Sequence, residues 1–119
     1  MLARILVVED EPGVQAIVVR ALEGEGYAVK AVADGAAGLD AALNESFDLI
    51  VTNDHMPRLS GDELALRIRD HRPRLPILHM SGGPDAGADH PGEHYLYKPF
   101  NPETLIRAVQ NLLGKPGRR

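Results

Sequence analysis

Two unbroken apolar runs, Ile5-Leu6-Val7-Val8 and Leu49-Ile50-Val51, constrain this chain more than any other feature. A strand with one wet face alternates apolar and polar side chains, whereas a run that is apolar throughout is covered on both faces. Each run stops abruptly, the first at Glu9-Asp10-Glu11-Pro12 and the second at Thr52-Asn53-Asp54. Segments of helical period follow them. The expected architecture is therefore a parallel α/β sheet with right-handed crossovers and helices on both faces.

The helical segments can be placed from their caps and stripes. A first helix is expected from about Pro12 to Glu25, with Val14, Ile17, Val18, Ala21 and Leu22 on one face and Gly26 as its stop. Tyr27 to Ala33 alternates as a strand. A second helix should run from Asp34-Gly35 to about Glu45 with a weak stripe of Leu39, Ala42 and Leu43, and a strand from Asp48 to Thr52 follows. A third helix is expected from about Ser60 to His71, where Ser60 is the cap and Glu63 completes a capping box. The last helix has Asn101 as cap, Pro102 at its first position, and Leu105, Val109 and Leu112 facing inward. The stretch from Gly82 to His94 contains four Gly and two Pro and no large aliphatic residue. Gly and Pro raise the cost of helix by ~1 and ~3 kcal/mol, so a loop or at most one helical turn is expected there.

Ligands of such sheets bind in the crevice at the carboxyl ends of the strands. Four strand ends bring chemistry to it: Glu9 and Asp10, then Asn53, then Ser81 after Ile77-Leu78-His79-Met80, and Lys98-Pro99 after Tyr95-Leu96-Tyr97. Adjacent carboxylates repel unless a cation sits among them, and hard oxygen ligands suit Mg²⁺.

Together these residues resemble the receiver domain of response regulators, the CheY-like family of two-component phosphorelay signalling, over essentially the whole chain. The family pattern is an acidic pair after strand one, an Asp four residues before a Pro after strand three, a Ser/Thr after strand four and Lys-Pro after strand five. Glu9 and Asp10, Asn53 ahead of Pro57, Ser81, and Lys98-Pro99 correspond to it. The resemblance implies a doubly wound, flavodoxin-like five-stranded fold with helix four short or absent. It also implies a signalling module that is not an enzyme, with a sensor histidine kinase or other signalling protein as partner. A homodimer through the face around helix four, strand five and helix five is open. In typical relatives Mg²⁺ and Lys98 would stabilise charge on the phosphoryl group, Ser81 would swing toward it, and an aromatic at the Tyr95 position would repack.

Residue 53 departs from the pattern. Counting back from Met56-Pro57 and forward from Phe47-Asp48 both place Asn53, not Asp54, at the phosphoacceptor position. An amide oxygen is neutral and a feeble nucleophile, whereas covalent catalysis by a carboxylate needs the ionised oxygen. Asp54 would project to the opposite side of the strand and is a poor surrogate unless a bulge re-aims it. The reading is an atypical receiver that is not phosphorylated at residue 53 and acts through protein-protein interaction. The alternatives are an engineered Asp-to-Asn variant of a conventional receiver and a functional acceptor at Asp54. A Mg²⁺ site built from Glu9, Asp10, the Asn53 amide oxygen and the His55 backbone carbonyl should be weak or absent. Two unit charges about 4 Å apart at an effective dielectric of ~20 interact by roughly 4 kcal/mol before desolvation, and one such pair is missing. Lys98 is then expected to pair with Asp10 or Glu9.

Composition narrows the field further. A chain of 119 residues suits one domain, 1–119, and its net charge of -4, with a basic tail only at about 114–119, argues against nucleic-acid binding by this segment. With no cysteine there is neither disulfide nor thiolate metal site, and His55, His79, His90 and His94 form no zinc motif by spacing. Those histidines are expected at the surface or in packing. No apolar stretch approaches the ~20 residues of a membrane span, and the first strand begins too soon after Met1 for a signal peptide, so a cytoplasmic location is expected. A flavin or nucleotide binder on the same fold would need a glycine-rich phosphate loop after strand one, where Glu9-Asp10-Glu11 would repel phosphate.

Overall fold

The computed structural model describes residues 2–82 and 93–113. Its elements alternate as expected: β1 Arg4–Val8, α1 Pro12–Gly24, β2 Ala28–Val32, α2 Gly35–Asn44, β3 Leu49–Asn53, α3 Gly61–His71, β4 Ile77–Ser81, β5 Glu93–Tyr97 and α4 Pro102–Leu113. The five strands form one parallel sheet in the order β2-β1-β3-β4-β5. This is the doubly wound, CheY-like arrangement, with four helices among the described residues. The expected loop at Gly82–His94 lies almost wholly outside the described residues.

Local chemistry explains where the helices begin and end. Gly26 closes α1 with φ 97°, a left-handed conformation natural to glycine, and its N–H donates to the Glu23 carbonyl. The next residue, Tyr27, donates its N–H to the Leu22 carbonyl and buries its ring. Asp34 caps α2 by accepting from the Ala37 N–H at 2.7 Å, Ser60 caps α3 through the Glu63 N–H at 3.2 Å, and Asn101 caps α4 through the Thr104 N–H at 2.9 Å.

Alternation along each strand sends side chains to two separate cores. Ile5, Val7, Leu49, Val51, Leu78 and Met80 pack with Val18, Leu22, Leu105 and Val109 of α1 and α4. Leu6, Val8, Ile50 and Ile77 pack on the opposite face with Leu64, Ala65 and Ile68 of α3 and Ala41 and Ala42 of α2. Pairing of Val8 with Thr52 and of Asn53 with Met80 aligns the ends of β1, β3 and β4. The acidic residues, residue 53 and the end of β4 therefore meet at one edge.

Two expectations about the helices need correction. Ile17 is 58% exposed instead of facing inward, because Val18 and Leu22, with Val14 and Ala21 beside them, already fill the contact with the sheet. In α2 the buried positions are Gly35, Gly38, Ala41 and Ala42, while Leu39 and Leu43 are only partly covered. The helix uses small residues because it lies close to β1 and to the loop before α3. In the last helix Leu105, Val109 and Leu113 are buried, and Leu112 flanks the core.

That close approach generates a test. Alanine at an exposed helical glycine gains up to ~1 kcal/mol, but a Cβ on Gly38 would sit 2.8 Å from Val8 Cγ2 and 3.1 Å from Val8 Cγ1. Val8 is branched and fully buried, so the clash should outweigh the gain, since overpacking costs about 1–3 kcal/mol. Gly38→Ala is expected to lower stability by about 1–2 kcal/mol in urea unfolding. Gly13→Ala, where a Cβ meets nothing within 4 Å, should raise it by about 0.4–1 kcal/mol.

Candidate functional site

Asn53 ends β3 with its side chain inside the crevice, where it is 5% exposed. Its Nδ2 donates to Glu9 Oε2 at 3.0 Å, to the His55 carbonyl at 3.2 Å and more distantly to Asp10 Oδ1 at 3.4 Å. Its Oδ1 accepts from the Lys98 ammonium at 3.1 Å and from the His55 backbone N–H at 3.2 Å. The electrostatics select this orientation of the amide: carboxylates need a donor facing them and an ammonium needs an acceptor. Turning the amide over would set NH₂ against NH₃⁺ and an oxygen against two acids.

The neighbours are held by the ends of other strands. Glu9 directly follows β1 and is 1% exposed; its Oε2 also accepts from the Glu11 N–H at 3.0 Å, and Asp10 beside it is exposed. Burial pushes the Glu9 carboxyl above the usual carboxylate range, although the Glu11 N–H, the Asn53 amide and the Lys98 charge pull the other way. Lys98 directly follows β5, and its backbone N–H donates to the Ser81 carbonyl at 2.7 Å, which ties the end of β5 to the end of β4. Ser81 is fully buried, and Tyr95 in β5 stacks on His79 with ring centroids 4.7 Å apart and on Tyr97 at 6.3 Å.

The structure thus gathers Glu9, Asp10, Asn53, His55 and Lys98 into one hydrogen-bonded set. It corrects one expectation: Lys98 bonds to Asn53 Oδ1 and not to Asp10 or Glu9. The amide can satisfy an ammonium with its oxygen while its nitrogen serves the acids, so Lys98 has a partner without crossing the pocket. As arranged, these residues do not fit Mg²⁺ well. The group facing the two acids and the His55 carbonyl is an N–H donor, which cannot ligate a cation. The oxygens left for an ion are Glu9 Oε1, buried and without a hydrogen-bond partner among the described residues, and those of the exposed Asp10.

Asp54 lies on the other side of the strand. It is 7% exposed, its Oδ1 is 2.5 Å from His79 Nδ1, and its backbone carbonyl accepts from the Gly61 N–H that opens α3. Residues 50 and 77 face the α2/α3 core, and the same parity carries residues 54 and 79 to that side. Spacing in the sequence missed this pair. His79 is fully buried against Asp54 with Asp62 nearby, and the signal that could have found it is strand register, because Thr52 pairs with His79.

Charge balance in the crevice generates a test. In Asn53→Asp a third carboxylate would face Glu9 and Asp10, and only Lys98 would oppose it. Like charges at such distances repel by roughly 4 kcal/mol before screening. In chelator the variant is expected to unfold about 1–3 kcal/mol more easily than the Asn53 chain, and Mg²⁺ should restore most of the loss while moving the Asn53 chain little. An equal response of both chains to Mg²⁺ would contradict this picture of the pocket.

Comparison with known proteins agrees with the geometry. Residues 5–110 match the response regulator receiver domain. The transcriptional regulatory protein TcrA of Mycobacterium tuberculosis is 37% identical over 118 residues, covering 92% of this chain and 45% of TcrA. Response regulator ArlR of Staphylococcus saprophyticus is 32% identical over 117 residues, covering 94% of this chain and 53% of ArlR. The chain therefore spans about half the length of these curated relatives. Among solved structures, the receiver domain of sensor histidine kinase PA1611 from Pseudomonas aeruginosa, with a magnesium ion coordinated in its active site cleft, superposes with a TM-score of 0.85. It is 30% identical, with 97% of this chain and 100% of that one covered. Vibrio cholerae CheY4 gives a TM-score of 0.83 at 29% identity, with 94% and 99% covered. With its strand order, its crevice residues and a family match over most of its length, this chain belongs to the response regulator receiver domains of two-component signalling.

Proposed function

We propose that this receiver signals without a phosphoryl group on residue 53, and that the Asn53 side chain holds the crevice in one electrostatic arrangement that partner proteins read. The observation that carries the reading is the two-sided amide, donating to Glu9 and taking the Lys98 ammonium at 3.1 Å. A carboxylate could not donate to Glu9, and an amide cannot attack phosphorus, so the group that completes the network is the group that forgoes the chemistry. Asp54 is a poor substitute, since its carboxylate is buried beside His79 on the far face of β3.

Mg²⁺ binds weakly in this reading, chiefly through the exposed Asp10, because the amide nitrogen already occupies the acids. The partner is a sensor histidine kinase or another signalling protein that docks on the domain. With a net charge of -4, this segment does not itself bind nucleic acid. A cytoplasmic setting follows from that partnership, and among the described residues no helix is long and apolar enough to cross a membrane.

Incubation with a small-molecule phosphodonor and Mg²⁺, followed by intact mass and peptide mapping, tests the proposal. No phosphoryl adduct is expected on the Asn53 chain, and Asn53→Asp should become labelled because Lys98 and the acidic pair are already in place. An acid-labile adduct on Asp54 would overturn the reading.

A further inference from the structure

A second polar cluster lies behind the crevice. His79 Nδ1 is 2.5 Å from Asp54 Oδ1 and 3.8 Å from Asp62 Oδ1, and the three donor atoms all fall within 4.8 Å of one another. They come from three elements: Asp54 directly follows β3, His79 is in β4 and Asp62 is in the first turn of α3. His79 is fully buried, and Asp54 is 7% exposed. Two carboxylate oxygens in this cluster, Asp54 Oδ2 and Asp62 Oδ1, are shut away from solvent with no hydrogen-bond donor among the described residues. Buried carboxylate oxygens are costly without a donor or a cation, and none of the crevice chemistry uses these.

We propose that Asp54, Asp62 and His79 form a binding site for a divalent transition ion, Zn²⁺ in the first instance, distinct from the acidic pair at Glu9 and Asp10. One imidazole nitrogen with two carboxylates suits Zn²⁺, whereas Mg²⁺ takes oxygen ligands. Bonds of about 2.0–2.2 Å in a tetrahedral array set donors about 3.4 Å apart. Asp54 and His79 would part by about 0.9 Å from their 2.5 Å contact, and Asp62 would close by about 0.4 Å on His79 from 3.8 Å and by up to about 1.4 Å on Asp54, which lies within 4.8 Å of it. The Asp62 side chain is 39% exposed, so it is free to move, and it opens the fourth position to water. On binding, the proton held between His79 and Asp54 leaves to solvent and the ion takes its place.

The site is joined to the crevice through covalent neighbours and a ring stack. Asp54 adjoins Asn53, and the His79 ring lies against Tyr95, the aromatic of β5. An ion on His79 Nδ1 would fix the ring that Tyr95 packs on, and with it the end of β3 that carries Asn53. This gives the domain an input that needs no phosphoryl group. The site itself does not depend on how residue 53 behaves.

Calorimetric titration of the tag-free chain with Zn²⁺, paired with ring ¹⁵N spectra of its histidines, tests the proposal. One equivalent is expected to bind, with the His79 Nδ1 resonance moving to the metallated range. His79→Gln should abolish that binding, and Asp62→Asn should weaken it at least tenfold. Asp62 is half-exposed, so its variant keeps the test decisive if His79→Gln fails to fold. Failure of the natural chain to bind Zn²⁺, unchanged affinity in Asp62→Asn, or a titration that moves Glu9 and Asp10 signals while leaving His79 in place would each overturn it.

Discussion

The amide of Asn53 stands between opposite charges, and the organisation of the crevice depends on it. Glu9 and Asp10 lie on its nitrogen side and Lys98 on its oxygen side. An aspartate there would face Lys98 as well but would meet the acids as a like charge, which is why a cation suits such a pocket. The amide needs no cation: its N–H bonds supply the positive end of a dipole where a metal would supply a full charge. Glu9 still bears the cost of burial, visible in its raised proton affinity, because a neutral donor offsets only part of what an ion would.

Placement of that one side chain rests on the sheet. Because β1, β3 and β4 are parallel and in register, their carboxyl ends meet at one edge, and the Lys98 N–H bond to the Ser81 carbonyl brings the end of β5 to the same edge. Strand parity then separates two adjacent residues: Asn53 serves the crevice, while Asp54 turns toward α3 and meets His79. Tight contacts fix this arrangement, since a Cβ on Gly61 would lie 2.5 Å from Asp54 Oδ1 and 2.7 Å from the Asn53 carbonyl. Glycine at the start of α3 lets the helix come that close, and the polar cluster behind the crevice exists because it does.

The parts of this structure legible in the sequence are those set by local signals. Continuous apolar runs identified β1 and β3, and Ser60, Asn101 and Gly26 marked helix ends because capping is local chemistry. The crevice residues were legible because each ends a strand. Three features were not. The buried face of α2 is built from Gly35, Gly38 and Ala41, which carry little hydrophobic signal although they decide how close the helix sits. The partner of Lys98 was misassigned because charges were paired with charges, and an amide that serves both signs was left out. The Asp54–His79 contact joins residues 25 apart, and it emerges only from the register of β3 on β4.

Side-chain amide NMR of Asn53 tests the central claim most directly, since its two Nδ2 protons are the hydrogen bonds in question. The account predicts separate, downfield-shifted signals that exchange slowly with water and stay in place when Mg²⁺ is added at physiological concentration. Fast exchange with solvent, or collapse of those signals on addition of Mg²⁺, would show that the amide does not hold the acidic pair and would contradict it.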